Sequence, residues 1–160
     1  NLKAVGRIKR QEKTDRRSEE LLEQAEYFLA CGYTSKVISN YEKILNISPD
    51  YVNILVRLGN ILREQGDTDR ALELHLRALE IAPKNLDVLC GLADDYSVKS
   101  AIQDEIQVIE KILELDRKSP RFLHRMREAR LKTEDWISVI DVQRKLIARI
   151  KGREKKTYQS

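Results

Sequence analysis

The chain has 160 residues, of which 41% are hydrophobic and 35% are charged, and it contains only three prolines and six glycines. This composition predicts a folded, helix-rich chain and excludes both an all-β fold, which needs many more turn residues, and a disordered chain. There is no uninterrupted apolar run of about 18 residues, so the sequence predicts no membrane span. The two cysteines, Cys31 and Cys90, form no CxxC pair, and reduced thiols are expected.

The net charge of +4 is unevenly distributed along the chain. Residues 1–17 carry seven Lys/Arg and two Asp/Glu, and residues 149–160 carry five Lys/Arg and one Glu. The intervening residues hold the other 18 basic and 23 acidic side chains. We therefore expect a basic N-terminal arm (1–17), a mildly acidic body (18–153) and a basic C-terminal tail (154–160).

A period of 34 residues organises the body. Gly32 and Gly66 are 34 residues apart, and so are Pro49 and Pro83. On this period four windows follow one another without gaps, at 18–51, 52–85, 86–119 and 120–153. A residue's place is its position counted from the first residue of its window. A fixed period of this length predicts stacked copies of one small helical motif.

The second window shows the motif most clearly. Leu55, Leu58 and Leu62 have the spacing of one helical face, and Gly59 leaves room for a second helix to approach. Gly66 follows the first helix, where a left-handed backbone is least costly for glycine. The second helix is marked by Ala71 and Ala78 as small packing residues, by Asp67 as its N-cap and by Pro83 as its stop.

In chain order the pattern predicts eight helices, near 18–31, 34–47, 52–65, 68–81, 86–98, 102–115, 120–132 and 135–150. Several residues depart from the pattern, namely His75, Glu105, Arg117, Arg127 and Gln143. Most of these departures lie in the third and fourth windows, so we expect those repeats to pack less tightly than the second.

The pattern resembles the tetratricopeptide repeat. That resemblance implies an all-α, right-handed superhelical solenoid of four helix–turn–helix repeats, covering residues 18–153. It also implies a concave surface that is lined by the first helix of each repeat and binds a protein or peptide.

Two stretches, 58–67 with the following 69–72 and His75, and 135–142 in the last window, are similar to the LapB (YciM) family. The resemblance implies a bacterial regulator of lipopolysaccharide assembly, located in the cytoplasm and tethered to the inner membrane by a segment that this sequence lacks. The family's membrane helix and zinc-binding cysteine pairs are both missing here. The chain is therefore either a fragment of such a protein or related to it through its repeats alone.

No motif for catalysis, nucleotides or metals is present: the sequence contains no GxxxxGK[ST], GxGxxG or HExxH. Its two histidines, His75 and His124, lie in different windows, and His75 is expected to pack in the interior. We therefore predict no enzyme activity, no cofactor and no metal site.

The candidate binding residues occupy the places of the first helices that point into the concave surface in such repeats. They are Leu22, Glu26, Val56, Asn60, Arg63, Cys90, Asp94, His124 and Glu128. Asn60 is the leading candidate, because an amide can both donate to and accept from a partner's backbone; the alternative is a solvated surface residue. Arg63 either holds a partner carboxylate or pairs with a nearby Glu or Asp of this chain.

The basic ends and the last helix leave alternatives open. The ends are disordered, or lie against a membrane, or contact nucleic acid, although nucleic acid is disfavoured because only Tyr158 adds an aromatic ring there. Ile137, Ile140, Leu146 and Ile150 predict an apolar face on the last helix, which meets a second copy, a further segment of the protein, or solvent. The sequence thus favours a non-catalytic scaffold or adaptor; the alternative is a membrane-surface or nucleic-acid-tethered module acting through its basic ends.

Overall fold

The computed structural model describes the backbone of residues 2–117 and 119–157, and the side chains of residues 15–117 and 119–148. The side chains of residues 1–14 in the basic arm, of Ile150 and of the tail 154–160 lie outside the described residues. The described backbone contains eight α-helices and no strand. They are α1 (Leu2–Ala30), α2 (Thr34–Ile47), α3 (Val52–Glu64), α4 (Thr68–Ile81), α5 (Leu86–Val98), α6 (Ile102–Leu115), α7 (Pro120–Lys132) and α8 (Trp136–Thr157).

The six internal helices, α2 to α7, begin and end within one residue of the predicted bounds. The two outer helices are longer than predicted, since α1 begins at Leu2 instead of residue 18 and α8 ends at Thr157 instead of residue 150. Both extensions are rich in Lys and Arg, whose straight side chains favour helix. An exposed pair across the predicted boundary, Arg16 Nε to Glu20 Oε1 at 3.2 Å, has the spacing that supports a continuous helix. Among the described residues, no helix is both long and apolar enough to span a membrane.

The chain divides into two compact units, residues 1–81 and residues 82–160. Each unit contains two helix–turn–helix motifs. The core of the first unit is built from α1 to α4, by Ala25, Val37, Tyr41, Ile44, Ile54, Leu58, Leu62 and Ala71. The second unit buries the corresponding side chains of α5 to α8, including Leu89, Leu92, Ile109, Ile112, Leu123, Met126, Val142 and Leu146.

All four repeats turn from the first helix to the second through a left-handed residue at the same place. Gly32 and Gly66 have φ of 74° and 87°, and Ser100 and Glu134 both have φ of 56°. Only the first two are glycines, which adopt this conformation without steric cost. The backbone of the turn is therefore kept in the second unit even where the sequence does not favour it.

His75, which departs from the repeat pattern, packs directly against Gly59. A Cβ atom built on Gly59 would lie 2.7 Å from ring atoms of His75, so glycine is what allows the imidazole to occupy this buried position. Nε2 of His75 lies 3.3 Å from the carbonyl oxygen of Val56, within hydrogen-bonding distance. In the fourth repeat the same two places hold Arg127 and Gln143, whose side chains hydrogen-bond at 3.3 Å.

Candidate functional site: the first-helix faces

The candidate site in the first unit lies on α1 and α3, and an ion pair joins these helices. Arg57 on α3 donates to the carboxylate of Glu26 on α1 and lies 3.4 Å from the hydroxyl oxygen of Tyr41. The hydrogen bond to Tyr41, followed by that to Glu26, raises the pKa of Arg57 above its ordinary value. The candidate Glu26 is thus exposed but already neutralised by a cation of its own unit.

Asn60 and Arg63 meet on one face of α3. The Arg63 guanidinium donates to Oδ1 of Asn60 at 2.9 Å, and both side chains are half-buried. The partner in this hydrogen bond is an amide, whereas the sequence pointed to a nearby Glu or Asp. The bond leaves the amide nitrogen of Asn60, a donor of two hydrogen bonds, directed away from Arg63.

The remaining two candidates of the first unit contribute to packing. Leu22 is half-buried and packs against the core cluster. Val56 is 7% exposed, and its carbonyl oxygen faces His75. Asn60, Arg63 and Glu26 are therefore the polar candidates that this unit presents on its first helices.

The second unit repeats the ion pair in a more buried form. Arg125 on α7 binds Asp94 and the carbonyl oxygen of Ala93 on α5, and its Nε lies 2.6 Å from Oε1 of Glu105 on α6. The Arg125 and Glu105 side chains are only 17% and 6% exposed. Burial alone would lower the pKa of Arg125, but the hydrogen bonds to Glu105 and Asp94 outweigh it and raise that pKa. Glu105, a departure from the repeat pattern, is thus explained by the arginine it binds.

The other candidates of the second unit differ in exposure. Cys90 is half-buried, and burial raises the pKa of its thiol, so the neutral thiol is favoured. His124 and Glu128 are exposed on α7. Glu128 forms no ion pair or hydrogen bond among the described residues.

Sequence reasoning missed Arg57 and Arg125, although a signal for them exists. Both occupy the sixth place of their windows, exactly two periods apart, and Glu26 and Asp94 both occupy the ninth place of the preceding window. A basic residue and an acidic residue that recur in fixed register predict a repeated contact between adjacent repeats.

A second feature that sequence reasoning missed is an aromatic cluster at the turn between α1 and α2. The ring of Phe28 lies between those of Tyr27 and Tyr33, with centroid distances of 5.8 and 6.4 Å. Tyr27 and Tyr33 are 65% and 54% exposed. Lys36 Nζ lies 4.9 and 5.0 Å from the centroids of the Phe28 and Tyr33 rings, so its ammonium group makes cation–π contacts within this cluster.

Within the described residues, no three His, Cys, Asp or Glu side chains are grouped so that they could hold a metal ion. On the first helices, Arg57 pairs with Glu26 and Arg125 pairs with Asp94. This arrangement suits recognition of another polypeptide by hydrogen bonds and apolar contacts.

Comparison with known proteins agrees with this helix–turn–helix architecture. Residues 54–89 match the family model described as Tetratricopeptide repeat. No curated protein sequence matches the chain. This match and the eight described helices confirm the predicted all-α fold of tetratricopeptide-type helix–turn–helix repeats.

Solved structures with the same fold share little sequence with this chain. A tetratricopeptide repeat protein from Parabacteroides merdae ATCC 43184 superposes with a TM-score of 0.78 at 19% identity, covering 83% of this chain and 53% of that one. MamA from Desulfovibrio magneticus RS-1, from residue 41 to its end, gives 0.72 at 18% identity and coverages of 87% and 77%. Another MamA structure gives 0.77 at 16% identity and coverages of 92% and 86%. At these identities the likeness establishes the fold alone.

Proposed function

We propose that the chain is a non-catalytic scaffold that binds a segment of a partner protein on the first-helix face of its repeats. The observation that carries the proposal is the pairing of Arg63 with Asn60, which fixes the orientation of an amide on a half-buried face. An oriented amide can donate to a carbonyl group of a partner backbone at little further entropic cost. The neutralised Glu26 next to this face neither attracts nor repels a charged partner strongly.

The test compares two variants of matched chemistry. Asn60→Ala combined with Arg63→Glu alters the first-helix face, whereas Asn46→Ala combined with Lys43→Glu makes the same type of change at exposed positions of α2. Each variant is used to capture proteins from a bacterial lysate, after circular dichroism has confirmed that its helix content is unchanged. A partner retained by the parent and by the α2 variant, but lost by the α3 variant, would support the proposal. Equal capture by both variants would contradict it.

A second candidate function uses the basic N-terminal stretch. Its support is that the backbone of α1 is helical from Leu2, so the seven basic residues of 1–17 lie largely on a helix. A basic helix is attracted to anionic lipid surfaces and, less selectively, to nucleic acid. Deletion of residues 1–17 would abolish binding to anionic vesicles under this hypothesis and leave partner capture intact under the first.

The identity of the partner is a finer proposal, supported by the likeness of residues 58–72 and 135–142 to the LapB family. On that basis the partner is a protein of lipopolysaccharide assembly, met on the cytoplasmic side of a bacterial inner membrane. Identification of such a protein in the capture experiment, dependent on Asn60 and Arg63, would support it.

A further inference from the structure

The last helix exposes apolar side chains at places that are covered in the other repeats. Ile140 and Ile147, the residues at places 21 and 28 of the fourth window, are 53% and 43% exposed. The residue at place 21 of the third window, Ile106, is 2% exposed. Ile38 and Leu45, at these places in the first window, pack against the cluster to which α3 contributes. In the first and third repeats, the following first helix packs against the second helix, and a helix at this face of α8 would continue that arrangement.

The exposed face is concave. A cavity of about 520 Å³ lies between α7 and α8, lined by Leu131, Ile140 and Ile147 together with Arg127, Gln143 and Arg144. Its apolar floor and basic rim suit an amphipathic helix that carries acidic groups at its edge.

The contacts between adjacent repeats specify the charges that such a helix needs. At place nine, Glu26 and Asp94 each accept from an arginine at place six of the following first helix. Glu128 occupies place nine of the last repeat, where it is exposed and without an ion pair among the described residues. By analogy with these two pairs, an arginine of the helix that binds this face would pair with Glu128.

A second charge on the occupant follows from Arg144. In the third window its place is held by Glu110, which accepts from Arg130 on the next first helix at 2.7 Å. Arg144 is basic where Glu110 is acidic. The helix that binds this face would therefore need a carboxylate at the position where α7 has Arg130. Arg130 lies five residues after Arg125, so the required helix presents an arginine and, five residues later, an acid.

Residues 151–157 of this chain do not form this helix, because they extend α8. The second helices α2, α4 and α6 end at the same place, at Ile47, Ile81 and Leu115, and a short turn then leads into the next first helix. By contrast, α8 continues beyond that place to Thr157. The turn that would fold the following segment back onto the face is absent there.

A second copy of the chain is also poorly suited. If α1 of another copy continued the repeat register, Glu23 would take the place of the arginine and face Glu128. Two α8 helices related by a two-fold axis beside Arg144 would bring Arg144 against its own copy. Both arrangements oppose like charges, which disfavours them.

We propose that the face formed by α7 and α8 binds an amphipathic helix of a different protein, with an arginine paired to Glu128, an acid five residues later paired to Arg144, and apolar side chains covering Ile140 and Ile147. This surface is separate from Asn60 and Arg63, and the proposal does not require the first-helix face to bind anything. The self-association that the sequence predicts for the last helix becomes an alternative outcome of the test.

The probe is a fluorescent peptide made of residues 119–133 of this chain with Arg130→Glu. A lactam bridge between its Glu128 and Lys132 side chains, which are both exposed in α7, holds it helical. Its affinity for the full chain is measured by fluorescence anisotropy. Glu128→Lys in the full chain is expected to weaken binding roughly fivefold, and a peptide with Arg125→Glu in addition should recover it. Ile140→Ser with Ile147→Ser should weaken it roughly tenfold or more.

Two controls make the result specific. Ile137→Ser removes an isoleucine of α8 that is 84% exposed and lies outside this cavity, and it should leave the affinity unchanged. The Asn60→Ala, Arg63→Glu variant should also bind the peptide normally, which separates this proposal from the proposed function. Absence of peptide binding, or binding that Glu128→Lys and the double serine variant leave unchanged, would overturn the proposal. So would a concentration-dependent dimer in sedimentation velocity that Ile140→Ser dissociates, since it would assign the face to a second copy.

Discussion

Arg57 in the first unit and Arg125 in the second occupy the same place of the repeat, but their environments differ. Arg57 and Glu26 in the first unit have side chains that are 43% and 49% exposed. Arg125 in the second unit is 17% exposed and binds a carboxylate, Glu105, that is only 6% exposed. The register is identical, but the first is a surface ion pair and the second is a buried cluster. Because water screens the first pair and not the second, identical positions in a repeat can differ greatly in their contribution to stability.

The largest expected effect comes from removing the buried arginine. Arg125→Met leaves Glu105 as an uncompensated buried charge, and we expect it to lower the free energy of unfolding by about 3–5 kcal/mol. Arg57→Met, the same change in the first unit, should cost about 0–1 kcal/mol. Urea unfolding followed by circular dichroism measures both.

Glu105→Val combined with Arg125→Met is the control for this interpretation, because valine occupies the same place in the first repeat as Val37. Removing both charges should restore most of the lost stability. Equal losses for the two single arginine variants would show that the difference in burial has no energetic consequence.

The turns between helices offer a second comparison, with a smaller effect. Gly66 has φ of 87° and a Cβ there would meet no atom within 4 Å, so Gly66→Ala introduces backbone strain without a steric clash. We expect it to cost about 1–2 kcal/mol. Ser100→Gly, at the same place in the second unit, relieves that strain but makes the unfolded chain more flexible, so its gain should be below about 1 kcal/mol.

The stability change caused by each substitution is measured from the midpoint of urea unfolding. The control is Ser97→Gly, at an exposed position of α5. That control should destabilise, because glycine within a helix is unfavourable. Stabilisation by Gly66→Ala, or a loss with Ser100→Gly as large as with Ser97→Gly, would contradict the strain argument.

The smallest expected effect concerns the N-caps of α4 and α8. Asp67 and Asp135 occupy the same place, and each accepts from a backbone N–H three residues on, at Arg70 and Ser138 respectively. Hydrogen bonds from Ser138, supported by Arg130, lower the pKa of Asp135. A lowered pKa means that this carboxylate stabilises the fold above its ordinary pKa of about 3.9, and that the stabilisation is lost as pH falls through the folded-state value.

Asp135→Asn keeps an oxygen that can cap the helix and removes the charge. The stability difference between parent and variant, measured from pH 6 to pH 2, should therefore shrink as the pH drops below about 4. Because many other carboxylates titrate in both proteins, only this difference is informative. A difference that stays constant over the whole range would show that Asp135 acts through its hydrogen-bond geometry alone.

Much of the fold was predictable from local patterns. The apolar spacing of Leu55, Leu58 and Leu62 and the glycines at 32 and 66 predicted helices and turns correctly, since both depend on residues close together in sequence. The outer ends of α1 and α8 were predicted less well. There the expectation followed charge, whereas helix propensity continues the helix through a charged but straight-chain sequence.

The candidate site was only partly predictable. Its places on the first helices followed from the repeat, but Val56 at one of them is only 7% exposed. The state of the charged side chains depended on partners that are distant in sequence, such as Arg57 for Glu26 and Arg125 for Asp94. The selection of the groove residues as a binding site remains a prediction until the capture experiment is done.

By itself the sequence determined the period and the internal helix bounds, because both follow from residue spacing along the chain. Only the tertiary structure decided which charges are neutralised, why Glu105 can be buried, and that Glu128 and the apolar face of α8 have no partner among the described residues. The physical reason is that burial and ion pairing depend on side chains brought together from different windows, and a pattern within one window contains no information about their distance or exposure.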